Sequence, residues 1–199
     1  EEVKGIAVDE SGVPTEADLV SSVTIKINPY KEAIEKAAAN AQYLGAKASD
    51  KLGLAVTTTI AKSKDATADT EGLAQAYSTY TAVTFDSEGR VTSAIIDASQ
   101  SNVNFDATGK ITTDLSVAPA TKVELGEGYG MKKASAIGKE WYEQADAFAA
   151  YIVGKTVEEI KGISVDESGY PTEEDLISSV TVTIKDFQSN IEKAFANAK

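Results

Sequence analysis

The chain has 199 residues, 42% of them hydrophobic and only 7% aromatic, with no Cys, no His and a formal net charge of −12. Such acidity excludes a nucleic-acid backbone as partner, since nothing here neutralises a line of phosphates, and disfavours an anionic lipid surface. The lack of His and Cys excludes the usual zinc centres, iron–sulfur clusters, His-ligated haem, and Ser-His-Asp or Cys-His catalysis. Carboxylate or Lys chemistry and oxygen-ligated metals survive that exclusion, although no paired-acid motif supports a hydrolase. No run approaches the ~18 apolar residues of a transmembrane helix.

Residues 1–41 return near the C-terminus at a constant offset. Glu1-Glu2-Val3-Lys4-Gly5-Ile6 reappears as Glu158-Glu159-Ile160-Lys161-Gly162-Ile163, and Asp18-Leu19-Val20-Ser21-Ser22-Val23-Thr24 as Asp175-Leu176-Ile177-Ser178-Ser179-Val180-Thr181. About two-thirds of the aligned positions are identical, without insertion. Solenoid units run to roughly 20–50 residues, so this longer period predicts duplication of a whole domain. Residues 42–199 are then one complete unit and 1–41 the tail of an earlier one, in a piece of a longer protein. In the first copy, Pro29 opens a helix to about Tyr43, with Glu32 and Lys36 spaced i,i+4. Its apolar face (Leu19, Val23, Ile25, Ile34) lacks the sheet of its own unit. It is expected to pack on another molecule, giving an oligomer through 1–41, to pack on the sheet of 42–199, or to fold as an appendage.

The complete unit starts with sheet. Thr57–Ile60, Ala76–Phe85 and Arg90–Asp97 are rich in β-branched and aromatic residues, and alternation puts Tyr77, Thr79, Thr81, Val83 and Phe85 on one face. Ala61–Gly72 is a polar loop. Asp86-Ser87-Glu88-Gly89 is a hairpin connection with Gly placed for positive φ, and Asp106–Gly109 repeats the form between Val103–Phe105 and Lys110–Thr112. The glycines of Glu124–Met131 could receive a phosphate at a helix entrance, but without P-loop or dinucleotide spacing a tight loop is the better reading. Apolar positions at Ala134, Ile137, Trp141, Ala145, Phe148 and Ile152 predict a long helix over Lys132–Ile152, with Trp141 in the core. Gly154 ends it and Lys155-Thr156 opens a short helix through Ile160. Asp166 and Glu167, like Asp9 and Glu10, read as turn residues without the ligand periodicity of a calcium loop. Thr172–Asp175 reads as a capping box, Val180–Ile184 as a strand and Phe187–Ala198 as an amphipathic helix. The expected class is α+β: a mainly antiparallel sheet, a long helix and a helix–strand–helix tail.

The spacing Asp-x-x-Ser-Ser-Val-Thr before a helix occurs twice: Asp18, Ser21, Ser22 and Thr24, then Asp175, Ser178, Ser179 and Thr181. With the Ala-rich helices at Ala33–Ala37 and Ile191–Phe195 and the hairpin Ala82–Ile96, it resembles the FMN-binding domain family. That family includes C and G subunits of sodium-pumping and Rnf-type respiratory complexes and bacterial surface lipoproteins, and has an Asp-x-x-Ser-Gly-Ala-Thr signature. The resemblance implies an FMN-binding-like fold and an FMN cofactor that a transferase can attach covalently to the last Thr. Thr181 would be the anchor and the Ser178 and Ser179 hydroxyls phosphate ligands, with sheet-face aromatics and Tyr129 covering the ring. Thr24, Ser21 and Ser22 would be the counterparts in the first copy. It further implies an electron carrier without a substrate of its own, a redox partner protein, and an exported, lipid-anchored protein on the bacterial surface. This chain departs from the signature where Gly-Ala becomes Ser22-Val23 and Ser179-Val180; a β-branched residue there crowds the approach of a phosphate. The alternative is therefore a cell-surface binding or structural domain that keeps the fold without cofactor. On that view Asp175 and Asp18 are capping partners of Thr172 and Thr15, and the hydroxyls satisfy backbone groups.

Overall fold

The computed structural model describes residues 2–199 and divides the chain into two compact units, with the boundary between Tyr43 and Leu44. The first unit holds helices α1 (Glu2–Gly5), α2 (Ala17–Val20) and α3 (Asn28–Ala39). Between α1 and α2 the chain reverses through a tight turn. Asp9 Oδ1 accepts the amides of Ser11 and Val13 at 2.9 and 3.0 Å, and Gly12 takes the positive φ of 87° that closes the turn. The amide of Ala7 donates to Glu16 Oε1 at 2.9 Å, and that of Ile27 to the Gly12 carbonyl at 2.8 Å. Ile27 is buried, but no residue of α3 is.

In the second unit, β1 (Lys51–Thr59), β2 (Gly72–Phe85) and β3 (Val91–Phe105) form an antiparallel sheet in the order β1-β2-β3. The β2–β3 turn is built like that of the first unit: Asp86 Oδ1 accepts the amides of Glu88 and Arg90, and Gly89 has φ 76°. Then come α4 (Lys122–Leu125), a 3₁₀ turn (Gly126–Tyr129), α5 (Trp141–Tyr151), α6 (Val157–Lys161), α7 (Glu174–Ile177) and α8 (Lys185–Ala196). The architecture is α+β. Alternation along β2 buries Thr79, Thr81, Val83 and Phe85 on the face read from the sequence, with Tyr77 half-buried. α8 packs on β1 and β2, and α5 on β3. Their shared core centres on Phe85, Trp141, Phe148, Phe187 and Ile191, with the Trp141 and Phe187 rings edge to face at 5.9 Å. Contact of α8 with β1 is close enough that a Cβ on Gly53 would collide with the carbonyl of Ala194. The outer edge of β1 is not left bare. Leu52 and Lys199 exchange backbone hydrogen bonds, and Asn197 Nδ2 and Lys193 Nζ donate to the carbonyls of Leu54 and Val56.

Three local expectations give way to competing backbone partners. The helix read over Lys132–Ile152 begins only at Trp141. Upstream the chain turns, with Gly138 at φ 64°, and the buried Glu140 carboxylate takes the amides of Met131 and Lys132. Val180–Ile184 is no strand: the Thr181 amide donates to the Gln144 side chain rather than to a ladder. The residue before α7 is Glu173, not Thr172, and Glu173 Oε1 instead accepts the amide of Ser164 at 3.1 Å. Among the described residues no helix is long and apolar enough to cross a membrane.

Candidate functional site: an aromatic cleft with a buried ammonium

A cleft of about 520 Å³ opens in the second unit, within the size range of small-molecule sites. Tyr77 and Gln75 reach it from β2, and Lys62 from the β1–β2 loop. Lys122 comes from α4, Tyr129 and Met131 from the turn that follows, Trp141 from the start of α5, and Thr181 and Asp186 from the tail. The helix α4 is fixed by a capping box: the Thr121 hydroxyl accepts the amide of Glu124 at 3.2 Å, and Glu124 Oε2 accepts that of Thr121 at 2.8 Å. Lys122 is the first residue of this short helix, so its side chain leaves a rigid base.

That side chain is only 5% exposed. Its ammonium lies 4.7, 4.6 and 4.8 Å from the ring centroids of Tyr77, Tyr129 and Trp141, and donates to the Tyr77 hydroxyl at 3.1 Å. Three aromatic faces attract a cation through their quadrupoles, yet no carboxylate among the described residues forms a salt bridge with it. Burial pulls the ammonium down to about 8, helped by the like charge of Lys62 and opposed by Asp97. Burial also pushes the Tyr77 and Tyr129 phenols up, Tyr129 with a contribution from the Glu140 charge, so both stay neutral donor–acceptors.

On the same cleft, Thr181 is held by one side chain. Both its amide and its hydroxyl donate to Gln144 Oε1, at 2.7 and 3.1 Å. Gln144 is fully buried, and its Nε2 donates in turn to Ser135 Oγ and the Lys139 carbonyl, each at 3.2 Å. Val180 is fully buried in the core and does not line the cleft, so the branched side chain that the sequence sets against a phosphate points into the interior.

Of the residues singled out from the sequence, the structure brings Thr181 and Tyr129 into this one cleft. Asp175, Ser178 and Ser179 do not line it. Asp175 lies in the first turn of α7, Ser178 ends that helix, and Ser179 Oγ donates to the Leu176 carbonyl. In the first unit the Ser21 and Ser22 hydroxyls likewise donate to the Asp18 and Leu19 carbonyls, while Thr24 is exposed. Sequence reading missed Lys122 and Gln144. A visible sign of the first was the Thr121–Glu124 capping pattern, which marks a helix start inside what reads as a loop. Trp141 is both core and cleft wall. Among the described residues no group of three His, Cys, Asp or Glu side chains is placed to hold a metal.

No family model matches this chain, and no solved structure matches it. A stretch of 41 residues is 49% identical to a chlorophenol reductase of Desulfitobacterium hafniense. The match covers 21% of this chain and 12% of that protein, so the likeness is confined to a small part of both.

Proposed function

We propose that the second unit is a flavin (FMN)-binding electron-carrier module, belonging to the FMN-binding domain family and carried by an exported, lipid-anchored bacterial protein. The observation that carries this reading is the meeting of Thr181 and Tyr129, taken from separate stretches of sequence, in one cleft walled by aromatic rings. The residues present suit the group. Tyr77, Tyr129 and Trp141 offer a planar apolar wall for the ring, while Lys62 and Thr181 offer a charge and a hydroxyl for the phosphate. A bound flavin supplies the electron chemistry; the chain binds it, orients it and limits its contact with water. A redox partner protein would deliver and collect the electrons. That a chlorophenol reductase shares a short stretch with this chain fits an electron-handling setting.

The cofactor-free alternative, a cell-surface binding domain on the same fold, has two observations in its favour. The Thr181 amide and hydroxyl are both engaged by Gln144, and Ser178 and Ser179 stand outside the cleft. Intact mass and a visible absorbance scan of protein from its native host separate the two. A mass gain of one FMN on the peptide containing Thr181, or a flavin spectrum without a mass gain, supports the carrier. Unmodified mass, no chromophore and no uptake of added FMN leaves the binding domain.

A further inference from the structure

The Lys122 ammonium is a charge buried beside the cleft without an ion-pair partner among the described residues. The residue is only 5% exposed and lines the cleft, and its ammonium has a phenol oxygen and three ring faces around it. Asp97 acts on it through its field and Asp186 lines the same cleft, but neither carboxylate forms a salt bridge with it. Burying an unpaired charge is costly, and a lysine with a purely structural role would snorkel to water or meet a carboxylate. An ammonium also has three N–H donors, of which the Tyr77 hydroxyl accepts one. The other two have no hydrogen-bond acceptor among the described residues, only the ring faces.

We propose that Lys122 is the counter-ion for a planar ring that itself carries negative charge, so that the cleft holds the reduced, anionic form of a flavin more tightly than the oxidised, neutral form. The inference rests on the flavin reading above and assigns the charge to the ring rather than to the phosphate. A phosphate dianion keeps its water tightly and needs several donors, whereas the neighbourhood of Lys122 is three aromatic faces and one phenol. The exposed Lys62 on the same cleft suits the phosphate better, with the Thr181 oxygen beside it as a point of covalent attachment rather than a donor. A delocalised ring anion can lie against the aromatic wall and accept hydrogen bonds from the ammonium without full loss of hydration elsewhere. The charges balance simply. Two electrons from a reduced partner protein and one proton from solvent enter the ring, which gains one net negative charge; Lys122 keeps its own proton throughout. Reoxidation by the next acceptor returns both electrons and the proton.

The test uses the full chain and two probes, FMN and riboflavin, titrated anaerobically in oxidised and dithionite-reduced form into the wild type, Lys122→Met and Lys62→Met. Expected for Lys122→Met is a loss of affinity for the reduced form about tenfold greater than for the oxidised form, the size of one charge-assisted hydrogen bond. The loss should be the same with either probe. It is equivalent to lowering the midpoint potential of the bound flavin by about 30 mV for a two-electron couple. Lys62→Met should weaken FMN more than riboflavin and leave the redox preference intact. Equal losses in both redox states, or a loss confined to FMN, would place Lys122 at the phosphate or outside the site and overturn the proposal. A wild type that takes up neither probe in either state sinks the flavin reading itself, and this inference with it. Should Lys122→Met fail to fold, Lys122→Gln provides the same comparison.

Discussion

The two units contain the same segment in two settings, and its local geometry is nearly indifferent to the setting. Gly12 and Gly169 sit at φ 87° and 90°, and Val8 bridges Pro14 as Val165 bridges Pro171. Glu16 and Glu173 accept the amides of Ala7 and Ser164, and Lys4 pairs with Glu35 as Lys161 does with Glu192. Burial differs most along the final helix, although Gly12 and Gly169, Pro14 and Pro171, and Ile27 and Ile184 are buried in both copies. Ile191 on α8 is fully buried, whereas its counterpart Ile34 on α3 is 51% exposed, and α8 buries Phe187 and Ala194 where α3 buries nothing. Turns and caps are thus dictated by short-range chemistry, while burial depends on what the rest of a unit supplies.

The largest expected effect separates the two settings directly. Ile191→Ala should destabilise the second unit by about 2–5 kcal/mol through lost burial and a cavity, while Ile34→Ala changes stability by less than about 0.5 kcal/mol. Chemical denaturation followed by a probe in each unit reads both, and equal losses would break the comparison. Next in size is the cleft. Because the Lys122 ammonium is pulled down to about 8 from its ordinary 10.5, the unfolded chain binds more protons than the folded one between those values. The cost of burying the charge is therefore present in full below about pH 8 and is relieved as pH rises towards 10.5. Lys122→Met should make the second unit more stable at pH 7, by on the order of 3 kcal/mol at most, with the gap to wild type closing by pH 10.5. Paired denaturation series against pH measure it, and a variant less stable than wild type at pH 7 would mean that Lys122 is a structural residue.

Smaller effects should be shared by both copies. Gly12→Ala and Gly169→Ala each force a side chain into positive φ and should cost a similar amount, about 1–2 kcal/mol, in their respective units. Circular dichroism melts of the two variants test that equality. Smallest of all, Lys4→Met and Lys161→Met remove exposed ion pairs that water and salt already screen. Their melting midpoints should match wild type within scatter, with no dependence on added salt.

What could be read from the sequence follows the same division. The hairpin at Asp86–Gly89, the turn at Asp106–Gly109, the alternation along β2 and the short helix after Thr156 stand as read, because each is encoded within a few residues. Lys110–Thr112, by contrast, is no strand and pairs with β3 only through the single bridge of Ile111 with Phe105. The long helix ahead of Trp141 and the strand at Val180–Ile184 failed because distant side chains captured the backbone: Glu140 took two amides and Gln144 a third. Of the candidate site, Thr181 and Tyr129 were visible through motif and glycine spacing. Lys122 was not, because an isolated lysine in a polar stretch gives no hint that three rings from three elements will close around it.

The reciprocal hydrogen bonds between Leu52 and Lys199 place the first strand of the second unit beside its last residue. A fold whose entry and exit are neighbours can be strung in series, inserted into a loop of another protein, or circularly permuted without stretching the chain. A short linker from Lys199 to Lys51, with new ends opened at the Asp106–Gly109 turn, should therefore keep the aromatic cleft intact. It would make the unit portable.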